Sequence, residues 1–232
     1  MTNNTTTNNT PVTLGVDLGR LFYKESIFDS IDKLRDAGFQ IVRGSSNGRI
    51  TVFGHPSVPG YLFKKYLRDA GHSRKKQLAN YERRVKGARN LTTHLEALSI
   101  HSIIVPRKLL CKLPSRFSSK GTPDYAVIVE KCNFLDLAKT KHRYRTIADQ
   151  TLKDLCTIFF AFKHVDFRAS NMPFTPEGRI AFIDTGYLSC ITEDLDFRRS
   201  NYKKNVAKLL TDESQRFAKS LWDEFTRRND LR

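Results

Sequence analysis

Apolar residues recur along this chain with two spacings, one typical of strands and the other of helices. Short apolar or alternating runs predict strands at residues 39–43, 49–53, 61–64 and 125–131. Apolar stripes at helical spacing predict helices at residues 21–37, 74–96 and 144–163, with one or two more between 201 and 232. We therefore expect most strands before residue 131 and mainly helices after it.

A loop that contains two glycines, residues 44–48, connects the first two predicted strands. Gly44 and Gly48 lie four positions apart, and Asn47 precedes Gly48 in a pair that is common in tight hairpin turns. Glycine also lets backbone N–H groups approach a phosphate closely. Two interpretations stay open, a plain hairpin turn and a loop that covers phosphates.

A cluster of polar residues follows the predicted helix at 144–163. Asn171 lies five positions after Asp166, and Asp184 lies thirteen positions after Asn171. Between Asn171 and Asp184, the sequence predicts two short strands around a Pro-Glu-Gly turn. Such a hairpin brings Asn171 and Asp184 to one end, where an amide and a carboxylate can bind the same divalent cation.

These residues form the pattern H-x-D-x-x-x-x-N followed by D-x-G, which resembles the protein-kinase superfamily. The resemblance implies that Asp166 orients an acceptor hydroxyl and that Asn171 and Asp184 hold Mg²⁺ against the phosphates of ATP. It also implies that Arg168 replaces the catalytic-loop lysine that contacts the transferred phosphate. The implied fold is α+β and bilobal, with a small antiparallel-sheet N-lobe and a mainly helical, reduced C-lobe.

The upstream half of the chain extends the resemblance. Lys64 ends an apolar strand, like the kinase lysine that holds the α- and β-phosphates, and Glu82 follows it by eighteen residues within a predicted helix. The resemblance therefore implies a Lys64–Glu82 ion pair. Lys65 is the competing lysine, but strand neighbours point to opposite faces, so only one of the two can face the cleft.

The resemblance also assigns nucleotide contacts to two further segments. Gly44 and Gly48 correspond to the loop over the phosphates, although their spacing departs from the G-x-G-x-x-G of the family. The strand at 125–131 corresponds to the strand before the hinge, which places Val129 beside the adenine and makes Glu130 the first hinge residue. ATP and Mg²⁺ are thus the expected cofactors.

The chain departs from ordinary protein kinases in several ways. Thr185 replaces the Phe of D-F-G, and Val165 replaces the Arg that precedes the catalytic Asp in many members. Only 46 residues follow Gly186, and they contain no A-P-E motif. The chain thus resembles the small, trimmed kinases that some bacteria secrete as effectors. We expect residues 1–12 to be a disordered polar tail, residues 13–129 the N-lobe and residues 130–232 the C-lobe.

Charge and composition narrow the choice of partners. The net charge is +16, and residues 74–89 hold seven basic residues against one Glu. This density predicts a polyanionic partner, such as an inositol polyphosphate, a phosphoinositide headgroup or an acidic protein. No base-reading motif is present, so we expect no specific nucleic acid. We also expect a monomer without a transmembrane segment, in the cytoplasm of its own cell or of a host cell.

Together these features predict an ATP- and Mg²⁺-dependent protein kinase that phosphorylates a Ser or Thr hydroxyl, acting as a secreted bacterial effector on a host protein. Two alternatives stay open. One is a non-catalytic, pseudokinase-type module that binds polyanions or a protein. The other is a small-molecule kinase of the aminoglycoside or choline kinase type. Transfer of AMP instead of phosphate in the same cleft also stays open.

Overall fold

The computed structural model describes residues 18–24, 26–44, 50–67, 73–113, 124–163, 168–186, 189–190 and 206–230. The helices are α1 (Leu18–Leu21), α2 (Ile31–Asp36), α3 (Arg74–Ala97), α4 (Leu137–Arg145), α5 (Asp149–Ala161) and α6 (Asp212–Asp230). The strands are β1 (Gln40–Arg43), β2 (Thr51–Gly54), β3 (Tyr61–Lys65), β4 (Ile103–Ile104), β5 (Lys108–Lys112), β6 (Tyr125–Glu130), β7 (Phe162–Lys163), β8 (Ile180–Ala181) and β9 (Ser189–Cys190). A 3-10 turn at Ala207–Leu209 precedes α6.

Five strands form one antiparallel sheet in the order β1-β2-β3-β6-β5. The central strand β3 pairs with β2 on one side and with β6 on the other. Lys64 lies opposite Val52 on β2 and Val127 on β6, so these three side chains share a face of the sheet. The predicted fold class, α+β with a small antiparallel sheet and a mainly helical part, is confirmed.

One face of the sheet is covered by the chain that precedes β1. Phe53 and Phe63 point to this face and pack against three aromatic rings from that segment, those of Phe22, Phe28 and Phe39. The ring centroids of Phe22 and Phe63 are 5.3 Å apart in an edge-to-face arrangement. Such pairs add to the free energy that apolar burial contributes, so this aromatic cluster anchors the sheet.

Lys65 points into the same aromatic face. Its side chain is fully buried, its ammonium lies 4.7 Å from the centre of the Phe28 ring, and it donates to the carbonyl of Tyr125 at 3.2 Å. Burial lowers the pKa of Lys65 to about 7, against the opposing effect of the Asp124 carboxylate. Lys64 must then face the other side of the sheet, because neighbouring residues of a strand alternate.

Helix α3 covers that other side. Its buried side chains recur at intervals of three, four or seven, which all return to one side of a helix: Gln77, Tyr81, Ala88, Leu91 and Leu95. The ring of Tyr81 lies 5.5 Å from that of Tyr66, which directly follows β3, and its hydroxyl accepts a hydrogen bond from the Tyr66 N–H at 2.6 Å. This contact sets which side of α3 faces the sheet.

The second half of the chain builds a mainly helical core. Helices α5 and α6 meet at Phe160, whose ring lies 4.2 Å from Trp222. Leu91 and Leu95 of α3 also belong to this core, and β4 pairs in parallel with β8. Residues before 130 therefore help to position the segment that leads to Asp184.

The predicted division of the chain into a polar tail, an N-lobe and a C-lobe, with boundaries after residues 12 and 129, stays a prediction. Residues 1–17 lie outside the described ranges.

The predicted helix at 21–37 is interrupted. A turn follows α1, and the chain becomes helical again at Ile31 because the side chain of Ser30 caps α2 by accepting from the Lys33 N–H at 3.2 Å. Gly38 follows α2 with φ +86°, a left-handed conformation that suits the residue after a helix end. The apolar stripe continues through this break, so only the capping residue Ser30 indicates in the sequence that a new helix begins here.

The predicted helix at 144–163 is also two helices, the end of α4 and the whole of α5. Basic Arg143 and Arg145 lie in the last turn of α4, and acidic Asp149 begins α5, so each charge is favourable at its end of the helix dipole.

No helix among the described residues is both long and apolar enough to cross a membrane.

Candidate functional site

Lys64 points from the middle of the sheet toward the segment that leads to Asp184. Its ammonium donates to the carbonyl of Ile183 at 3.3 Å. Burial and, to a smaller extent, the Arg84 guanidinium lower the pKa of Lys64 to about 8, against the opposing effect of the Asp184 carboxylate. Lys64, and not Lys65, therefore reaches the Asp184 segment.

Arg84 of α3 forms an ion pair with Asp184. Its Nη1 lies 2.6 Å from Asp184 Oδ1, and the side chains are 14% and 31% exposed, respectively. One helical turn earlier, Asn80 Oδ1 accepts a hydrogen bond from Arg84 Nε at 2.8 Å. The guanidinium is thus held from two sides, by its own helix and by Asp184.

Thr185 connects α3 to β5 through its hydroxyl. The hydroxyl donates to the carbonyl of Arg84 at 2.7 Å and accepts from the buried amine of Lys108 at 2.6 Å. Burial lowers the pKa of Lys108 well below its ordinary value, with further lowering by Lys64 and Arg84 and an opposing effect from Asp184. Lys108 is therefore a third basic group near Asp184, and it has a hydrogen-bond partner.

Asp184 and Asn171 are brought close by the backbone. The N–H of Ile183 donates to the carbonyl of Asn171 at 3.1 Å. Burial by itself raises the pKa of the Asp184 carboxyl, but Arg84 and Lys64 together outweigh it, so the net pKa is lowered. Its Oδ1 also accepts from the Gly186 N–H at 3.2 Å, while its Oδ2 makes no hydrogen bond within the described residues. Asp184 is thus ionised and keeps one oxygen available.

The charges around Asp184 suit a ligand with several phosphates. Arg84 pairs with the carboxylate, Lys64 and Lys108 contact the residues on either side of it, and Arg43 shares the sheet face of Lys64 across β2. One carboxylate cannot neutralise this set of basic groups. A polyphosphate would therefore gain charge-assisted hydrogen bonds here.

The oxygens of this site also fit Mg²⁺ when phosphates share its coordination. Magnesium in nucleotide sites commonly takes one or two protein ligands and completes its octahedron with phosphate oxygens and water. The free oxygen of Asp184 and the side-chain amide of Asn171 meet that requirement. Within the described part of the chain, no group of three or more His, Cys, Asp or Glu could hold a metal without such help.

Comparison with solved structures gives two similarities at low identity. The first is to the bifunctional kinase-methyltransferase WbdD, with 14% identity and a TM-score of 0.46 over 77% of this chain. The second is to Rv3197 of Mycobacterium tuberculosis, solved as a complex with erythromycin, with 15% identity and a TM-score of 0.38 over 66% of this chain. This chain spans less than half of each, 42% and 46% respectively.

No protein-family model matches the sequence, and no curated protein does. At TM-scores below 0.5, neither solved structure indicates what this chain binds or which reaction it performs.

The structure corrects the predicted Lys64–Glu82 ion pair. Glu82 is exposed on α3, and no ion pair joins it to Lys64. Successive residues of a helix are rotated by about 100°. Because Tyr81 faces the sheet, Arg84 three residues later returns to that face and Glu82 does not. Arg84 therefore lies where the resemblance had placed Glu82.

Glu82→Gln is accordingly expected to leave the affinity for ATP and the rate of phosphate transfer within about twofold of wild type, as is usual for an exposed side chain without partners. Calorimetric titration and transfer from labelled ATP would measure both. A loss of tenfold or more would contradict this prediction, since it would require α3 to rotate and bring Glu82 to Lys64.

Of four further predicted site residues, the structure describes two, Gly44 and Arg168. Gly44 directly follows β1, and a Cβ at this position would lie 3.1 Å from Cδ1 of Ile31, so the glycine permits close packing of α2. Gly48 and Asp166 lie outside the described residues. Arg168 is exposed, and its carbonyl accepts from the Asn171 N–H at 2.7 Å. Their functional roles stay predictions.

Val129 lies on the same face of the sheet as the Lys64 site. It is 5% exposed and is paired with Leu62 on β3 and with Lys108 on β5. This position suits a residue that packs against a flat base between the sheet and the helical part, which stays a prediction.

Glu130, the predicted first hinge residue, is exposed at the end of β6. Its N–H donates to the carbonyl of Arg107 at 2.9 Å, and the N–H of Lys131 donates to that of Gly60 at 2.8 Å. Neither N–H is therefore available to a nucleotide base. Along the described chain, the next N–H groups without a hydrogen bond are those of residues 132–134. These backbone groups are able to donate to a nucleotide base, whereas those of Glu130 and Lys131 are not.

Sequence reasoning missed Arg84 and Lys108. Arg84 was hidden in a basic stretch, although it falls on the stripe that Tyr81, Ala88 and Leu91 define. Lys108 begins a strand whose next residues are apolar, so a lysine there was a signal for a buried polar contact. Thr185 was noted only as a departure from D-F-G, and its role depends on both of these residues.

Proposed function

We propose that this chain is a phosphotransferase that binds ATP and Mg²⁺ between α3, the sheet and residues 171–186. One observation carries the proposal: Lys64, Arg84 and Lys108 come from three elements and contact three consecutive residues, Ile183, Asp184 and Thr185, of which only Asp184 carries a negative charge. A structural ion pair requires one cation for one carboxylate, whereas a polyphosphate site requires an excess of cations.

The side chains divide into two tasks on the nucleotide side. Lys64 and Arg84 bind phosphates through charge-assisted hydrogen bonds. Asp184 and Asn171 hold Mg²⁺, which when bound neutralises charge that develops on the phosphates. Because phosphoryl transfer passes through a loose transition state, positioning and charge stabilisation account for most of the catalysis.

On the acceptor side, we propose a Ser or Thr hydroxyl of a protein, oriented by Asp166 with Arg168 near the transferred phosphate. The outer face of α3 supports an acidic partner, because the helix exposes six basic side chains: Arg74, Lys75, Lys76, Arg83, Lys86 and Arg89. An acidic protein segment or an inositol polyphosphate would complement that face. Action as a secreted effector on a host protein stays a prediction, which rests on the resemblance to small secreted kinases.

The proposal is tested first by binding and then by transfer. Calorimetric titration with ATP in the presence of Mg²⁺ is expected to give saturable binding, and a thermal shift is expected to follow from it. Incubation with γ-labelled ATP and a cell lysate is then expected to label protein. Label found only on added aminoglycoside or choline would indicate a small-molecule kinase, and an adduct with the mass of AMP would indicate nucleotidyl transfer. Absence of ATP binding by the wild type would overturn the proposal.

A second candidate is a non-catalytic module that binds nucleotide or another polyanion. The Arg84–Asp184 ion pair favours it, because a guanidinium occupies the carboxylate on which Mg²⁺ depends. Such a module would bind ATP equally well with Mg²⁺ and with EDTA, and it would transfer no label. An enzyme would bind Mg²⁺-ATP more tightly than free ATP.

A further inference from the structure

The guanidinium of Arg84 lies at the centre of the proposed nucleotide site and is firmly positioned. Its Nε donates to Asn80 Oδ1 at 2.8 Å, and its Nη1 donates to Asp184 Oδ1 at 2.6 Å. The backbone of the same residue is fixed as well, since its carbonyl accepts from Thr185 at 2.7 Å. Only the end of the side chain is therefore able to change partner while α3 stays in place.

Gly186 makes room for this side chain. A Cβ at Gly186 would lie 3.3 Å from Cγ and 3.5 Å from Cζ of Arg84. The segment after Asp184 thus passes directly against the arginine, as close packing of a functional side chain requires. Arg84 is built into the site from both sides and is not a surface residue that happens to reach it.

No carboxylate of α3 competes for this position. Glu82 and Glu96 are the acidic residues of the helix, and both are exposed. Lys64 donates to the carbonyl of Ile183 and has no carboxylate of α3 as a partner. In the absence of ligand, Asp184 is therefore paired with Arg84.

We propose that Arg84 is a phosphate-binding residue that changes partner, from Asp184 in the free protein to the phosphates of the bound nucleotide. The proposal rests on the proposed function and specifies how its site is regulated. Phosphates offer Arg84 a bidentate partner of higher charge than Asp184, which is the geometry that a guanidinium favours. The exchange releases Asp184 from the guanidinium and leaves its negative charge to Mg²⁺, so metal and nucleotide bind cooperatively.

The competing interpretation is that Arg84 only blocks Asp184. The two interpretations predict opposite changes in ATP affinity when Arg84 is replaced. Removal of a blocking group strengthens ATP binding, whereas removal of a phosphate ligand weakens it. Arg84→Gln tests this difference, Arg84→Lys keeps the charge without the bidentate geometry, and Arg216→Gln on the exposed side of α6 is the matched control. Calorimetric titration would give the dissociation constant for ATP with Mg²⁺ and with EDTA.

We expect Arg84→Gln to weaken ATP binding by about tenfold or more in both buffers, as the loss of a hydrogen bond to a charged group predicts. The loss should be larger with EDTA, because Asp184 then repels the phosphates without compensation. Arg216→Gln should bind ATP like wild type. AMP, which lacks the outer phosphates, should bind wild type and Arg84→Gln with equal affinity.

Unchanged or tighter ATP binding by a folded Arg84→Gln protein would overturn the inference and leave the proposed function intact, whereas failure of wild type to bind ATP would overturn the proposed function itself. Far-ultraviolet circular dichroism checks the fold. If Arg84→Gln does not fold, Arg84→Lys decides. A loss of about threefold with ATP and none with AMP supports the exchange, and unchanged ATP affinity overturns it.

Discussion

Asp184→Asn is expected to reduce the rate of phosphate transfer from γ-labelled ATP by about a thousandfold or more. The amide can still accept hydrogen bonds from Arg84 and from the Gly186 N–H, so the local structure should persist. What the variant loses is the negative charge that a divalent cation requires. The rate of label incorporation into protein would measure the effect, at equal and saturating Mg²⁺-ATP.

The same variant separates metal binding from phosphate binding. With EDTA present, ATP should bind Asp184→Asn at least as tightly as wild type, because a carboxylate that repels the phosphates is gone. Glu82→Gln is the matched control, since it makes the same chemical change on an exposed residue of α3. Near-normal transfer by a folded Asp184→Asn protein would refute the assignment of Asp184 to the metal.

Thr185→Val is expected to lower the free energy of unfolding by about 3 kcal/mol, since it removes two hydrogen bonds and leaves the buried amine of Lys108 without a partner. Valine has nearly the shape of threonine, so little cavity forms. The buried amine of Lys108 and the carbonyl of Arg84 would each lose the hydroxyl that they contact at 2.6 and 2.7 Å. Urea denaturation of wild type and variant would measure the difference.

A double-mutant cycle tests whether the Lys108 contact causes this loss. Lys108→Met replaces the buried amine with an apolar group of similar length, so Thr185→Val should cost markedly less in the Lys108→Met background. If Thr185→Val costs the same in both backgrounds, the hydrogen bond between these side chains does not contribute to stability. The Arg84 carbonyl would then account for the whole effect.

Four of the five strands of the main sheet could be predicted from the sequence because their pattern is local, whereas β5, with a lysine at each end of a short apolar run, was not predicted. β1, β2, β3 and β6 each lie within two residues of their predicted bounds. Alternation along β3 also separated Lys64 from Lys65, and the structure places Lys65 over Phe28 on the opposite face. Both successes rest on a period of two residues, which neighbours in the chain encode without reference to the rest of the fold.

The interrupted helices show the limit of an apolar stripe. The stripes at 21–37 and 144–163 continue through their breaks, whereas Ser30 and Asp149 signal new helix starts by capping and charge. Apolar spacing identifies a helical face, but end signals decide where a helix begins. Weighing both would have separated α4 from α5.

The amino-acid sequence alone determined the α+β class, four strands of the main sheet and the spacing of Asp166, Asn171 and Asp184, because each depends on residues that are close in the chain. Only the tertiary structure decided that α3 presents Arg84, and not Glu82, to the site. The rotation of a helix about its axis depends on contacts between distant residues, here that of Tyr81 with Tyr66. The two faces of a basic helix differ too little in composition for its sequence to specify that rotation.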